Sequence, residues 1–104
     1  MKTIFVSGAY RSNEPCGVKD NIDKAEMVAV KLWREGWAVL CPHLNTALFD
    51  QNYPFLPEEV YLKGYLEILS RFDAIFMLKN WQLSDGACAE LNLAEELNME
   101  VIYE

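Results

Sequence analysis

Short apolar runs alternating with helix-length amphipathic stretches constrain this chain more than any other feature. Lys2–Ser7, Trp37–Cys41, Asp73–Leu78 and Val101–Tyr103 read as strands of three to six residues. Between them the pattern turns helical. Asp20 or Asn21 is placed to cap a helix running to about Arg34 or Glu35, with Ile22, Ala25, Val28, Ala29, Leu32 and Trp33 on one face and Gly36 at its end. Further helices are expected over about Glu58–Phe72 and Asp85–Asn98, with a long loop from His43 to Pro57. Asp73–Leu78 is almost continuously apolar, as expected for a strand covered on both faces. This alternation predicts an α/β fold: a three-layer, flavodoxin-like or Rossmann-like sandwich. Its small parallel sheet has four to five strands, flanked by helices and joined by right-handed crossovers.

A length of 104 residues leaves room for one domain, 1–104. The formal net charge of −7 argues against nucleic-acid polymers and anionic membranes, which need a cationic surface, but not against a small nucleotide held by a few local groups. No apolar run approaches the roughly 20 residues of a membrane span. The apolar start, Met1–Val6, is too short for a signal peptide and reads as the first strand. Three cysteines cannot all pair within the chain, so a reducing cytoplasm is the expected setting.

In a parallel sheet, ligands bind beyond the carboxyl ends of the strands. The loops Gly8–Lys19, Pro42–Pro57 and Lys79–Asp85 are therefore expected to face the site. At the last of these, Ser84 or Asp85 is a good helix N-cap, and Gly86 and Ala87 leave backbone N–H groups open to an anion. Glu90 shares a helical face with the small residues Gly86 and Ala94. A carboxylate kept ionised by the helix N-terminus at that place is a candidate nucleophile. After the first strand, Gly8-Ala9-Tyr10-Arg11 puts a phenol where it would orient a carboxylate and a guanidinium where it would hold a phosphate. A capped helix, an ion-paired glutamate and a turn glycine would account for the same residues without any ligand. Asp73 is expected to cap a helix or bond a loop. Cys41 and His43 lack the companions of a closed metal site, so neither a metal nor a cofactor is expected. Phe49, Tyr53, Phe55 and Leu56 in the long loop would serve as a partner surface or a cover for the site.

These pieces together resemble the nucleoside 2-deoxyribosyltransferase superfamily, in a short bacterial and phage branch of it. The resemblance rests on Gly8-Ala9-Tyr10, on Gly36-Trp37-Ala38-Val39-Leu40-Cys41-Pro42 and on Asp73-Ala74-Ile75-Phe76-Met77-Leu78. Its strongest part is Trp81-x-x-Ser84-x-Gly86-Ala87-x-x-Glu90-x-x-x-Ala94. It implies cleavage or transfer of an N-glycosidic bond, with Glu90 attacking the anomeric carbon and Tyr10 positioning it. Ser84, the Gly86 and Ala87 amides and Arg11 would hold the 5′-phosphate of a (deoxy)nucleoside monophosphate, with Gly8, Trp81 and Asp85 completing the substrate site. It also implies a homodimer or larger homo-oligomer. Relatives carry an aspartate where this chain has Tyr65, which removes a proton source for the departing base. That departure favours, as alternatives, a non-catalytic nucleotide or sugar-phosphate binding module. A binder or hydrolase of an NAD- or ADP-ribose-type ligand is the remaining alternative.

Overall fold

The computed structural model describes residues 1–104 as four parallel strands and five helices. The strands are β1 (Thr3–Ser7), β2 (Ala38–Leu40), β3 (Ala74–Met77) and β4 (Glu100–Tyr103), and they lie side by side in the order β2-β1-β3-β4. Thr3 pairs with Ala38, Ile4 with Ala74, and Ala74 with Glu100, so every neighbouring pair is parallel. The helices are α1 (Gly17–Arg34), α2 (Pro42–Asn45), α3 (Phe49–Asn52), α4 (Glu58–Leu69) and α5 (Asp85–Glu96). This is the flavodoxin-like arrangement, in which strand order reverses direction between β1 and β3. No helix is long and apolar enough to cross a membrane.

Alternation along the strands divides the core in two. Ile4, Val6, Ala74 and Leu78 pack with Ala25, Ala29 and Leu32 of α1. Phe5, Ile75 and Met77 pack with Tyr65 and Leu69 of α4 and with Ala87, Leu91 and Ala94 of α5. Asp73 ties the two central strands together at their start: its carboxylate accepts from the Thr3 backbone N–H at 2.8 Å, and that bond holds its pKa below the usual range. Gly36 ends α1 with a φ of +99°, a conformation that favours glycine.

The differences from the expected boundaries have local causes. α1 begins at Gly17, before Asp20 and Asn21, because Cys16 adopts a left-handed conformation and accepts the Asp20 N–H. Asn21 is then free to donate to the Tyr10 carbonyl at 3.1 Å. The expected loop 43–57 contains α2 and α3. Pro42 starts α2 at a position where its missing N–H costs nothing. α4 and α5 each stop two or three residues early, at Leu69 and Glu96.

Candidate active site

The site is built around the last residue of β1. Phe5 and Ser7 point to the α4–α5 side, and α5 places Glu90 against Ser7. The Ser7 hydroxyl donates to Glu90 Oε1 at 2.6 Å, and this is the only hydrogen bond the carboxyl group makes. Glu90 is 9% exposed, and burial raises its pKa from 4.5 to about 7 against the opposing pull of Ser7. The expectation that the helix N-terminus keeps Glu90 ionised is therefore corrected. Glu90 lies beyond the first turn of α5, where the dipole has little effect, so desolvation wins. Near neutral pH the group is poised between its acid and its carboxylate.

Glu90 opens onto a cleft of about 140 Å³. Tyr10 and Arg11 line it from the loop after β1, and Thr46 and Asp50 from the stretch after β2. Glu58, Tyr61, Leu62 and Tyr65 line it from α4, and Gly86 joins Glu90 from α5. The first two of the expected loops thus reach the site. No residue of the third lines it; Asp85, at the end of that loop, borders an adjoining groove instead. The space is below the roughly 300–1,000 Å³ of drug-sized pockets and suits one ring of a ligand.

The remaining expected residues divide between the cleft and the scaffold. The Tyr10 hydroxyl accepts from the Leu48 N–H at 2.8 Å and donates to Asp50 at 3.2 Å; it makes no bond to Glu90, whose partner is Ser7 instead. Burial raises the Tyr10 pKa, so the phenol stays neutral at physiological pH. Arg11 contacts Glu58 at 3.2 Å and Asp50 at 3.5 Å. Its charge is already answered by two carboxylates. Ser84 is the N-cap of α5, and its oxygen accepts the Ala87 N–H at 3.0 Å. That bond occupies the Ala87 amide, while the Ser84 hydroxyl keeps its own O–H as a donor. Asp85 borders an adjacent open groove with Glu58, Glu59 and Gly86. Trp81 packs beside Tyr103, their ring centroids 6.4 Å apart. Gly8 is a scaffold residue: a Cβ there would come within 2.6 Å of the Leu78 side chain. Gly86 alone of the small residues lines the cleft.

Residues 2–103 match the model of a family described as Domain of unknown function (DUF4406). The chain belongs to this family. No curated protein matches it. The match spans all four strands and five helices, so the whole cleft belongs to the DUF4406 domain.

Ser7 and Asn80 of this DUF4406 site carry no signal of their own in the sequence. In the sequence Ser7 is only the end of a strand, and its place on the β1 face opposite Ile4 and Val6 is the one hint of its role. Asn80 accepts the Ala9 N–H at 2.9 Å and donates to Asn21 at 3.3 Å, and Asn21 holds the Tyr10 carbonyl. His43 is buried, with Nε2 3.1 Å from the Ala9 carbonyl, and burial lowers its pKa. A neutral ring donating from Nε2 fits that contact. Cys41 sits beside it in the core, its thiol pushed up to about 11 by burial. Through the Ala9 carbonyl, His43 supports the Tyr10 loop from behind. On α4, Glu58, Tyr61, Leu62 and Tyr65 recur at helical spacing and form one wall of the cleft.

Proposed function

We propose that this domain cleaves or transfers the N-glycosidic bond of a (deoxy)nucleoside or its 5′-monophosphate, with Glu90 as the nucleophile. One observation carries the reading: a buried carboxyl group with a single hydrogen bond, opening onto a ring-sized cleft where the sheet reverses direction. The resemblance to nucleoside 2-deoxyribosyltransferases adds to it. In the reaction, ionised Glu90 forms a bond to the anomeric carbon as the carbon–nitrogen bond breaks, and the departing base takes its proton from solvent water. Water or a second base then displaces Glu90 from the glycosyl ester. Ser7 would hold Oε1, leaving the second oxygen to attack. A pKa near 7 leaves a working fraction of carboxylate without strong hydration. Gly86 and a re-paired Arg11 are the groups suited to a 5′-phosphate.

The reading includes a homo-oligomer in the cytoplasm. Phe49, Tyr53 and Phe55 form an exposed edge-to-face row that a second copy would cover, with Phe55 78% exposed. Three free cysteines suit a reducing compartment.

A second reading, a binding module without turnover, is favoured by Tyr65. Its hydroxyl is engaged by Asn45 and Thr46, both at 3.0 Å, rather than free to protonate a leaving base. The test is chromatographic detection of free base from a panel of nucleosides and 5′-monophosphates, for wild type beside Glu90→Gln. Release by wild type alone supports the glycosidase. Saturable binding with no release supports the module.

A further inference from the structure

The cleft and the groove adjoining it share one electrostatic character. Asp50, Glu58 and Glu90 line the cleft, and Glu58, Glu59 and Asp85 line the groove beside Gly86. Arg11 is the one cation in either lining, and it is already paired with Asp50 and Glu58. The start of α5 does not reverse the sign: Asp85 sits in its first turn, and the Ala87 N–H is taken by the Ser84 oxygen. Charges are screened only beyond about 8 Å at physiological salt, so these carboxylates act on a ligand's charge in so small a cleft without touching it.

Glu90 gives that field a point of action. It is nine-tenths buried and lines the cleft, Ser7 holds its Oε1, and its second oxygen has no partner in the protein. A cation beside it favours the ionised form that must attack, whereas an anion favours the protonated form. Proton donors for a departing base are scarce. The Tyr65 hydroxyl is held by Asn45 and Thr46, and the Tyr10 hydroxyl lies between the Leu48 N–H and Asp50. A base bound to the sugar through a positively charged nitrogen needs no proton, because it takes the electron pair of the breaking bond and leaves neutral.

We propose that the cleft selects a cationic nucleoside without a 5′-phosphate, one whose base is joined to the sugar through a positively charged nitrogen. This deepens the glycosidase reading and rests on it for the reaction. Glu90 forms a carbon–oxygen bond to the anomeric carbon, and the carbon–nitrogen pair passes to the nitrogen. Water then bonds to the anomeric carbon, the ester pair returns to Glu90, and the proton from water goes to solvent. Each cation and water thus yield one sugar, one neutral base and one proton.

The experiment offers nicotinamide riboside, its 5′-monophosphate, uridine and inosine to the full-length protein. Base release is read by chromatography against each compound alone, and affinity by calorimetry. The same is done for a double variant, Glu59→Gln with Asp85→Asn, two exposed residues that line only the adjoining groove. Wild type is expected to bind and cleave nicotinamide riboside about tenfold better than its monophosphate, and to accelerate it more than either neutral nucleoside. The double variant and added salt are each expected to narrow the preference over the monophosphate. A monophosphate bound as well or better, or neutral nucleosides accelerated as strongly, would overturn the proposal. So would a preference that ignores both salt and the double variant, since charge would not be its cause. Base release from all four compounds alike overturns the charge selection and keeps the glycosidase. Selective binding of nicotinamide riboside with no release keeps the charge selection and removes the glycosidase. A wild type that neither binds nor cleaves any of the four overturns both.

Discussion

The two faces of the sheet are cut from one alternating pattern, yet they differ in kind. On the α1 side, Ile4, Val6, Ala74 and Leu78 meet Ala25, Ala29 and Leu32, and the only thiol in that layer, Cys41, lies next to buried His43. A groove of about 510 Å³ lies beside α1, floored by Val28, Leu32, Phe76 and Leu78 and rimmed by Lys24, Lys31 and Lys79. On the other side the cavity is smaller, about 140 Å³, but Ser7, Glu90, Tyr61 and Tyr65 are set into or against it. Volume and chemistry are therefore separated. The larger space holds no buried ionisable group. The smaller one desolvates a carboxyl group enough to move its pKa to about 7, which marks functional sites better than size does.

The sharpest way to test this contrast is to remove the charge from one face and volume from the other. Glu90→Gln is expected to lower base release by about a thousandfold or more, the scale of losing a covalent nucleophile, with the fold retained by circular dichroism. Retained turnover would erase the distinction between the faces. Leu32→Ala, on the α1 side, is expected to cost about 2–5 kcal/mol in urea denaturation. Its kcat at a temperature where it stays folded should match wild type, since Leu32 does not line the cleft of Glu90.

The same contrast has a pH signature. The unfolded chain releases the Glu90 proton near 4.5, whereas the native protein keeps it to about 7. Between those values the native state binds more protons, so this group makes stability fall as pH rises. The loss is complete above about pH 7 and amounts to roughly 3 kcal/mol. Glu90→Gln should therefore be close to wild type in stability at pH 4 and more stable than wild type at pH 8. Equal differences at both pH values would mean that Glu90 is not desolvated. Ser7→Ala acts on the same group with a smaller effect. It removes the one bond that favours the carboxylate, so the acid limb of the pH–rate profile moves to higher pH. At pH 6 the rate should fall several-fold, in keeping with about 1 kcal/mol for the bond.

The sequence carried the strand order's raw material well, because β1 and β3 are short, apolar and followed by clear stops. Glu90 was legible too, since small residues one turn away on either side leave room for approach. What stayed hidden was how its environment is assembled. Whether Glu90 is ionised depends first on its burial and then on Ser7, which is 83 positions away, and both arise only through the packing of α5 on β1. At the start of α5 the Ala87 amide, a phosphate donor by sequence, is taken up by the Ser84 oxygen, which leaves only the Ser84 O–H free to donate. Of the α4 wall only Tyr65 is marked by the sequence, through the resemblance; Glu58, Tyr61 and Leu62 carry no signal of their own. Only the placement of α4 beside α5 turns these residues toward a cleft.

Asn80 tests where the separation of the faces ends. It borders the groove on the α1 side, yet its side chain reaches the loop that carries Tyr10 into the cleft. Oδ1 accepts the Ala9 N–H at 2.9 Å, Nδ2 donates to Asn21 at 3.3 Å, and Asn21 in turn holds the Tyr10 carbonyl. Asn80 touches no cleft atom itself, so its influence on a ligand must pass through the position of Ala9 and Tyr10. Asn80→Ala is expected to cost about 1 kcal/mol of stability and to raise KM a few-fold with kcat nearly unchanged. Asn21→Ala should act alike. If the two asparagines work as one clamp, the double variant will lose less than the sum of the single losses. Full additivity in KM would mean that each holds the loop independently. No change in KM for either would confine the α1 face to stability alone, and the division between the two faces would then be complete.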